Sequence, residues 1–231
     1  MEVLALDTCN DLLERGLVEW CAPTLASLKP ASMFNITRFH EVRRLACGRT
    51  FLSEYAPWEL DAAVDEIASR LAPLGVRMRI MAVRRGSMMV FVYRPDLLER
   101  FIQRDDEAAL LELEGYDVAD ADACVTRLRS RVLDFDAHPR NPDGTDRFPH
   151  EMGFLLGYPL DDVLGFMRDR AHPLLRGHWN VHADVARAQR LFSLYDVCAT
   201  LATTRRGTGE PLESLACVPF CSPEALLALY A

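Results

Sequence analysis

The clearest pattern of apolar and polar positions predicts a helix over residues 57–74. Apolar residues recur there at three- and four-residue intervals, which places them on one helical face, at Leu60, Val64, Ile67 and Leu71. Three acidic residues lie near the start of this helix, Glu59, Asp61 and Asp65. The helix dipole favours negative charge at that end. Pro73 and Gly75 end the predicted helix.

The next segment changes from a helical period to the alternation of a strand. Residues 76–83 alternate apolar with mostly basic positions, which is typical of a half-buried strand. A turn at 84–87 and a second apolar run at 88–93 complete a predicted β-hairpin. A further strand is predicted at 32–37, after a segment from Cys21 onward whose two prolines favour an edge strand or loop.

Most of the remaining chain has helical spacing. We predict helices at 3–20, 95–102, 107–113, 119–133 and 184–203, a loop at 134–147, a short strand at 179–181, a linker at 204–211 and a small helix near 223–230. A few strands in hairpin arrangement among many helices, without regular strand–helix alternation, predict an α+β fold. We expect one domain, residues 1–231, in which a small antiparallel sheet packs against several helices.

Residues 148–167 predict an αα-hairpin. Pro149 suits a first helical turn, Gly157 can end one helix with positive φ, and Pro159 can begin the next. The second helix opens with Asp161 and Asp162, whereas a DNA-reading helix presents basic or polar groups there. The hairpin is therefore not a DNA-binding motif.

Composition limits the function classes. The net charge is -8, which argues against general nucleic-acid binding, because such proteins neutralise phosphates with Lys and Arg. No run of about 18 or more apolar residues predicts a membrane span. Acidic residues interrupt the N-terminal segment, which does not have the pattern of a signal peptide, so we expect a cytoplasmic protein. The seven cysteines are widely spaced and favour reduced thiols. Lys29 is the only lysine.

Four residues form the sharpest candidate site. A cysteine activated by an imidazole, itself oriented by a carboxylate, is a generic nucleophilic arrangement, and Cys21, His150 and Glu151 could supply it. Lys29 could bind an anionic group. Each residue also has a commoner structural role, as a buried thiol, a snorkelling lysine or a pair at a helix start. His150-Glu151 lacks the second histidine of the H-E-x-x-H zinc motif, because Phe154 stands there.

Metal binding has weaker candidates. His172, His178 and His182 could supply imidazole ligands to a metal or haem, although a surface loop followed by a strand explains them equally well. Cys217 and Cys221 form half of a possible metal site without a second half nearby. No Gly-rich phosphate-binding or serine-hydrolase motif is present.

Three blocks together resemble DUF3793, a family of bacterial proteins of unknown function. They are residues 21–34, residues 148–163 and the segment from Gly177 to the helix ending near Cys198. The resemblance covers roughly residues 12–203, so 204–231 form a tail outside it. It implies no reaction, cofactor or catalytic residue.

We therefore expect a protein that handles a small molecule or cofactor in a pocket near Cys21, Lys29 and His150. An alternative is a non-catalytic interaction or regulatory module, which should expose a contiguous apolar patch. A third is a metal- or haem-binding protein. The sequence names neither a cofactor nor a protein partner.

Overall fold

The computed structural model describes residues 2–4, 9–37, 40–44, 50–54, 56–84 and 86–217. Helices dominate, and the strands are short. In chain order the elements are β1 (Glu2–Leu4), α1 (Cys9–Leu25), β2 (Ala31–Thr37), β3 (His40–Arg44), β4 (Thr50–Glu54), α2 (Pro57–Leu71), β5 (Arg77–Arg84), β6 (Ser87–Tyr93), α3 (Pro95–Ile102), α4 (Asp105–Leu113), α5 (Ala121–Ala137), α6 (Met152–Leu155), α7 (Leu160–Arg168), β7 (Leu175–Arg176), β8 (Asn180–Val181) and α8 (Val185–Gly207). The α+β prediction is confirmed.

An antiparallel sheet of order β2-β6-β5 forms the centre of the fold. The predicted hairpin is β5–β6, and the predicted strand at 32–37 is β2, which pairs with β6 from Ala31↔Tyr93 to Thr37↔Ser87. The β5–β6 register shifts between Ile80 and Ala82, which is the mark of a β-bulge. All three strand predictions in this sheet are confirmed.

Strand β6 is buried on both faces, which explains its nearly continuous apolar sequence. Met88, Val90 and Val92 face one hydrophobic core, built with α1, α2 and α8. Phe91 and Tyr93 face a second core, built with α3, α5 and the segment 152–156. Side chains alternate across a strand, so one short strand connects both cores.

A second sheet, of order β1-β3-β4, is antiparallel and was not predicted. Its strands are three to five residues long and carry mixed polar and apolar residues, which leaves little periodic signal. The predicted short strand at 179–181 is confirmed as β8, which pairs with β7 through Leu175↔Val181.

Helix α1 differs from the prediction at both ends. Residues 2–4 form β1, and α1 begins at Cys9 and continues through Cys21 to Leu25, where a loop or edge strand was predicted. The row Leu13, Leu17, Cys21, Leu25 is fully buried at four-residue spacing. This burial outweighs Pro23, which costs one hydrogen bond near the end of the helix.

The later helices confirm their predictions with shifted ends. Helix α5 continues to Ala137, so the loop predicted from 134 begins later. Helix α8 continues to Gly207, which makes the predicted linker at 204–211 wrong for its first residues. The following segment packs into the first core, because Leu212 and Leu215 are buried and Glu213 pairs with Arg70 at 2.5 Å. Cys221 and the helix predicted near 223–230 lie outside the described residues.

The predicted αα-hairpin is present, but its first helix is short. Helix α6 is a single turn, Met152–Leu155, and Gly157 adopts φ +73° before α7 begins at Leu160. Among the described residues, no helix has both the length and the apolar character needed to cross a membrane.

Candidate functional site

The connection between α1 and β2 carries Lys29 and is held at its base by Arg94. The Arg94 guanidinium donates to the Thr24 carbonyl at 2.7 Å and to the Leu25 carbonyl, both at the C-terminus of α1. It also donates to the Leu74 carbonyl at 2.9 Å and the Ala216 carbonyl at 3.0 Å. A cation at a helix C-terminus is favourable, and four carbonyls from three segments fix this connection.

The turn of the αα-hairpin docks directly beside Lys29. A Cβ atom at Gly157 would lie 2.5 Å from Cγ of Pro30, and its φ of +73° is one that other residues rarely adopt. Only glycine therefore lets the turn approach this closely. The contact places the next residue, Tyr158, against the Lys29 side chain.

Lys29 is a buried cation with aromatic neighbours. Its side chain is 8% exposed, and Nζ lies 5.0 Å from the ring centroid of Tyr158 and 5.9 Å from that of Tyr195. Within the described part of the chain, no carboxylate forms an ion pair with it. Burial lowers the pKa of Lys29 from 10.5 to about 8, opposed by the neighbouring Cys21.

An aromatic cluster supports these two tyrosines. Tyr158 stacks on Trp179 with ring centroids 5.2 Å apart, and Trp179 meets Phe192 edge-on at 4.5 Å. The buried Asp162 carboxylate holds Trp179, because it accepts from the indole Nε1 at 2.7 Å and from the backbone amides of His182 and Ala183. Helix α7 is thereby joined to the segment that precedes α8.

These elements surround a cavity of about 470 Å³, which we call the Lys29 cleft. Besides Lys29, its lining includes Trp20, Met33, Tyr158, His178, Phe192 and Asp196. His178 Nε2 lies 2.9 Å from Asp196 Oδ1, and both side chains are exposed. The cleft thus combines a buried amine, aromatic and thioether walls, and an imidazole–carboxylate pair open to solvent.

Cys21 lies near Lys29 but does not have the properties of a nucleophile. It is fully buried within α1, whereas the sequence predicted that an edge strand or loop begins at this residue. Burial raises the pKa of its thiol well above the ordinary value, and the Lys29 charge opposes this only in part. A reactive cysteine needs an exposed, stabilised thiolate. The structure therefore favours the structural role for Cys21.

His150 lines a different, smaller cavity of about 270 Å³, together with Phe148, Phe166 and Trp179. The two cavities share Leu156 and Tyr158 as a common wall. Arg170 Nη2 lies 3.2 Å from His150 Nε2 and must donate, so Nδ1 carries the proton. Burial, followed by the Arg170 charge, lowers the pKa of His150. His150 and Lys29 therefore do not line one pocket.

Glu151 turns away from His150 into the second core. Its carboxylate accepts from the Tyr116 hydroxyl at 3.0 Å and pairs with Arg131 Nε at 3.1 Å. Burial, followed by the Glu151 charge, raises the pKa of Tyr116. Glu151 has a structural partner set of its own, so the predicted imidazole–carboxylate pairing with His150 is not formed.

A family model described as "Protein of unknown function (DUF3793)" matches residues 17–216. The chain belongs to the DUF3793 family. No curated protein and no solved structure matches the DUF3793 protein described above.

The three blocks that carried the resemblance to DUF3793 meet at the Lys29 cleft. Lys29 comes from the first block, Tyr158 from the second, and His178 and Tyr195 from the third. The first block is far from the other two in sequence; the Gly157 turn packs the second block on Pro30 of the first, and Asp162 joins the second block to Trp179 of the third.

The three histidines proposed as metal ligands do not converge in the DUF3793 structure. His172 pairs with Asp169 at 2.9 Å, His178 pairs with Asp196, and His182 packs against Gly165 and Phe166. Across the ranges that the structure describes, no group of three or more His, Cys, Asp or Glu could hold a metal ion. Cys217 is exposed and donates to the Glu213 carbonyl.

Sequence reasoning did not assign Tyr158, Phe192, Tyr195 or Asp196 to the site. In the structure Gly177 makes room for Phe192, because a Cβ atom at Gly177 would lie 2.2 Å from its ring, but no sequence signal pairs these two residues. The other three residues have no local motif. They become neighbours only when α8 packs against α1 and the hairpin.

Proposed function

We propose that this DUF3793 protein binds a small organic anion in the Lys29 cleft. The observation that carries the proposal is a nine-tenths buried lysine that lies against ring faces and, among the described residues, forms no ion pair, since the Asp196 carboxylate of the cleft pairs with His178. An ammonium group withdrawn from water is costly unless an opposite charge or hydrogen bonds compensate it. A carboxylate or phosphate group of a ligand would supply both.

The walls of the cleft indicate the rest of the ligand. Trp20, Met33 and Phe192 offer apolar and aromatic surface, which suits a flat or apolar body. His178 Nε2 donates to the Asp196 carboxylate, which leaves His178 Nδ1 at the rim to accept a hydrogen bond from a second polar group. A cavity of about 470 Å³ is within the usual range for small-molecule sites. Benzoate and phenyl phosphate are therefore suitable probes.

Ligand-dependent thermal stability tests the proposal. Benzoate or phenyl phosphate should raise the Tm of the full chain, because a ligand that binds only the folded state stabilises it by about 2.7 kcal/mol at 100 times Kd. Lys29→Met should abolish the shift. His150→Gln, in the neighbouring cavity, should retain it and serves as the matched control. An unchanged shift in Lys29→Met, or no response to any probe, would overturn the proposal.

The non-catalytic interaction module stays a prediction. The described structure exposes large apolar side chains on several helices, including Trp58 on α2, Leu113 on α4 and Val197 on α8. Because these side chains lie on different helices, they do not indicate one particular surface for a partner, whereas Lys29 indicates one cleft.

A further inference from the structure

The environment of Lys29 suits a reactive amine as well as a residue that binds an anion. Its Nζ lies against the faces of Tyr158 and Tyr195, and no described carboxylate stabilises its charge. Buried lysines with lowered pKa are nucleophilic towards carbonyl groups. With a pKa of about 8, about a tenth of the molecules carry the neutral amine at pH 7, compared with less than about a thousandth for an ordinary lysine.

We propose that Lys29 forms an imine with a small aldehyde or ketone that also bears an anionic group. The proposal rests on the proposed function, since both use the Lys29 cleft. The neutral amine is the nucleophile, and its desolvated surroundings remove the water that would otherwise solvate and protonate it.

The step is balanced without an oxidant or reductant. The Nζ lone pair forms a bond to the carbonyl carbon, and the carbonyl π electrons move to oxygen, which takes up a proton. The nitrogen loses one proton, the hydroxyl group takes up another and leaves as water, and the nitrogen lone pair forms the C=N bond of a protonated imine. Loss of the remaining nitrogen proton returns the proton that was taken up. One water molecule is released for each imine formed.

His178 is positioned to transfer these protons. Its ring lies at the rim of the same cleft, 5.3 Å centroid-to-centroid from Tyr195, and Asp196 orients it at 2.9 Å. An imidazole can give a proton to the leaving hydroxyl and accept one in the reverse step. Lys29 and His178 thus line the same cleft, and both lie beside the Tyr195 ring.

Reductive trapping gives a direct test, because Lys29 is the only lysine in the chain. Wild-type protein is incubated with 4-carboxybenzaldehyde or glyoxylate and cyanoborohydride, then analysed by intact mass and peptide mapping. The peptide containing Lys29 should gain the ligand mass less one oxygen atom. Mapping separates this adduct from any on the α-amine. Lys29→Arg should show no adduct on that peptide, and His150→Gln should react like wild type.

The pH profile distinguishes a cleft amine from an ordinary one. Trapping by the folded protein should have its midpoint near pH 8, whereas trapping by the urea-unfolded chain should move toward 10.5. His178→Gln should slow folded-state trapping several-fold without moving that midpoint, and should leave unfolded-state trapping unchanged.

Two outcomes separate the proposals. If 4-carboxybenzaldehyde and 4-hydroxymethylbenzoate raise the Tm equally through Lys29 but no adduct forms, the imine is overturned and anion binding stands. If neither compound raises the Tm and the folded and unfolded chains react alike, both proposals are overturned.

Discussion

Replacing Lys29 with methionine should stabilise the protein at neutral pH. Methionine keeps the length and the apolar stem of the side chain but removes the ammonium group. The pKa falls from 10.5 to about 8 on burial, and each pKa unit corresponds to about 1.4 kcal/mol, so the buried charge costs about 3 kcal/mol. Loss of the contacts with Tyr158 and Tyr195 offsets about 1 kcal/mol of this. We expect a net gain of about 2 kcal/mol at pH 7.

The gain should depend on pH in a defined direction. The unfolded chain keeps its Lys29 proton up to about pH 10.5, whereas the folded protein releases it near pH 8. Between these values the unfolded state binds more protons, so wild-type stability rises with pH. The cost of the ammonium is fully present below pH 8 and is lost above 10.5. The advantage of Lys29→Met should shrink across this window.

Urea unfolding of both proteins from pH 7 to 10.5 measures this difference, and the other titrating groups largely cancel because both chains share them. Lys29→Arg is the control, because its charge persists throughout and its difference from Lys29→Met should not vary with pH. A wild type at least as stable as Lys29→Met at pH 7, with a difference that stays flat to pH 10.5, would refute the reasoning.

Two further predictions concern the frame of the cleft. Arg94→Met should destabilise the fold by about 3 kcal/mol or more, because four carbonyls lose a charged donor; urea unfolding measures the loss, and the exposed Arg190→Met should stay within about 0.5 kcal/mol of wild type. Asp162→Ala should cost about 3 kcal/mol or more, because three buried or half-buried N–H donors lose their acceptor, and near-ultraviolet circular dichroism should report the freed Trp179. Its exposed neighbour provides the control variant, Asp161→Ala, and equal losses in both aspartate variants would contradict the assigned role.

The cost predicted for Lys29 bears on its role. Stability–function trade-offs are common at sites where a strained or unpaired group is needed for activity. If Lys29 only filled space, an apolar residue at this position would give a more stable protein. A lysine that binds an anion or reacts with a carbonyl needs an amine without an ion pair, and among the described residues Lys29 has that state, which is also what makes it costly.

Local patterns in the sequence were sufficient for the central hairpin and most helices. Residues 76–93 alternate and residues 57–71 repeat at three- and four-residue intervals. Each pattern records which face of its element is buried, and burial of that face is the main determinant of the hairpin and of the helix. The pattern failed where tertiary packing outweighed a local signal. Burial of Cys21 and Leu25 carried α1 past Pro23, and the short strands of the second sheet had too few residues for a period to show.

For the site, the sequence by itself determined that one lysine stands apart and that Gly157 and Pro159 separate two helices. Only the tertiary structure decided what these residues meet. It placed Tyr158 and Tyr195 on Lys29, buried Cys21, and turned Glu151 towards Tyr116 and away from His150. Periodicity and caps depend on neighbours a few residues away, whereas a cleft depends on how α1, α8 and the hairpin pack, and that contact has no counterpart in any single stretch of the chain.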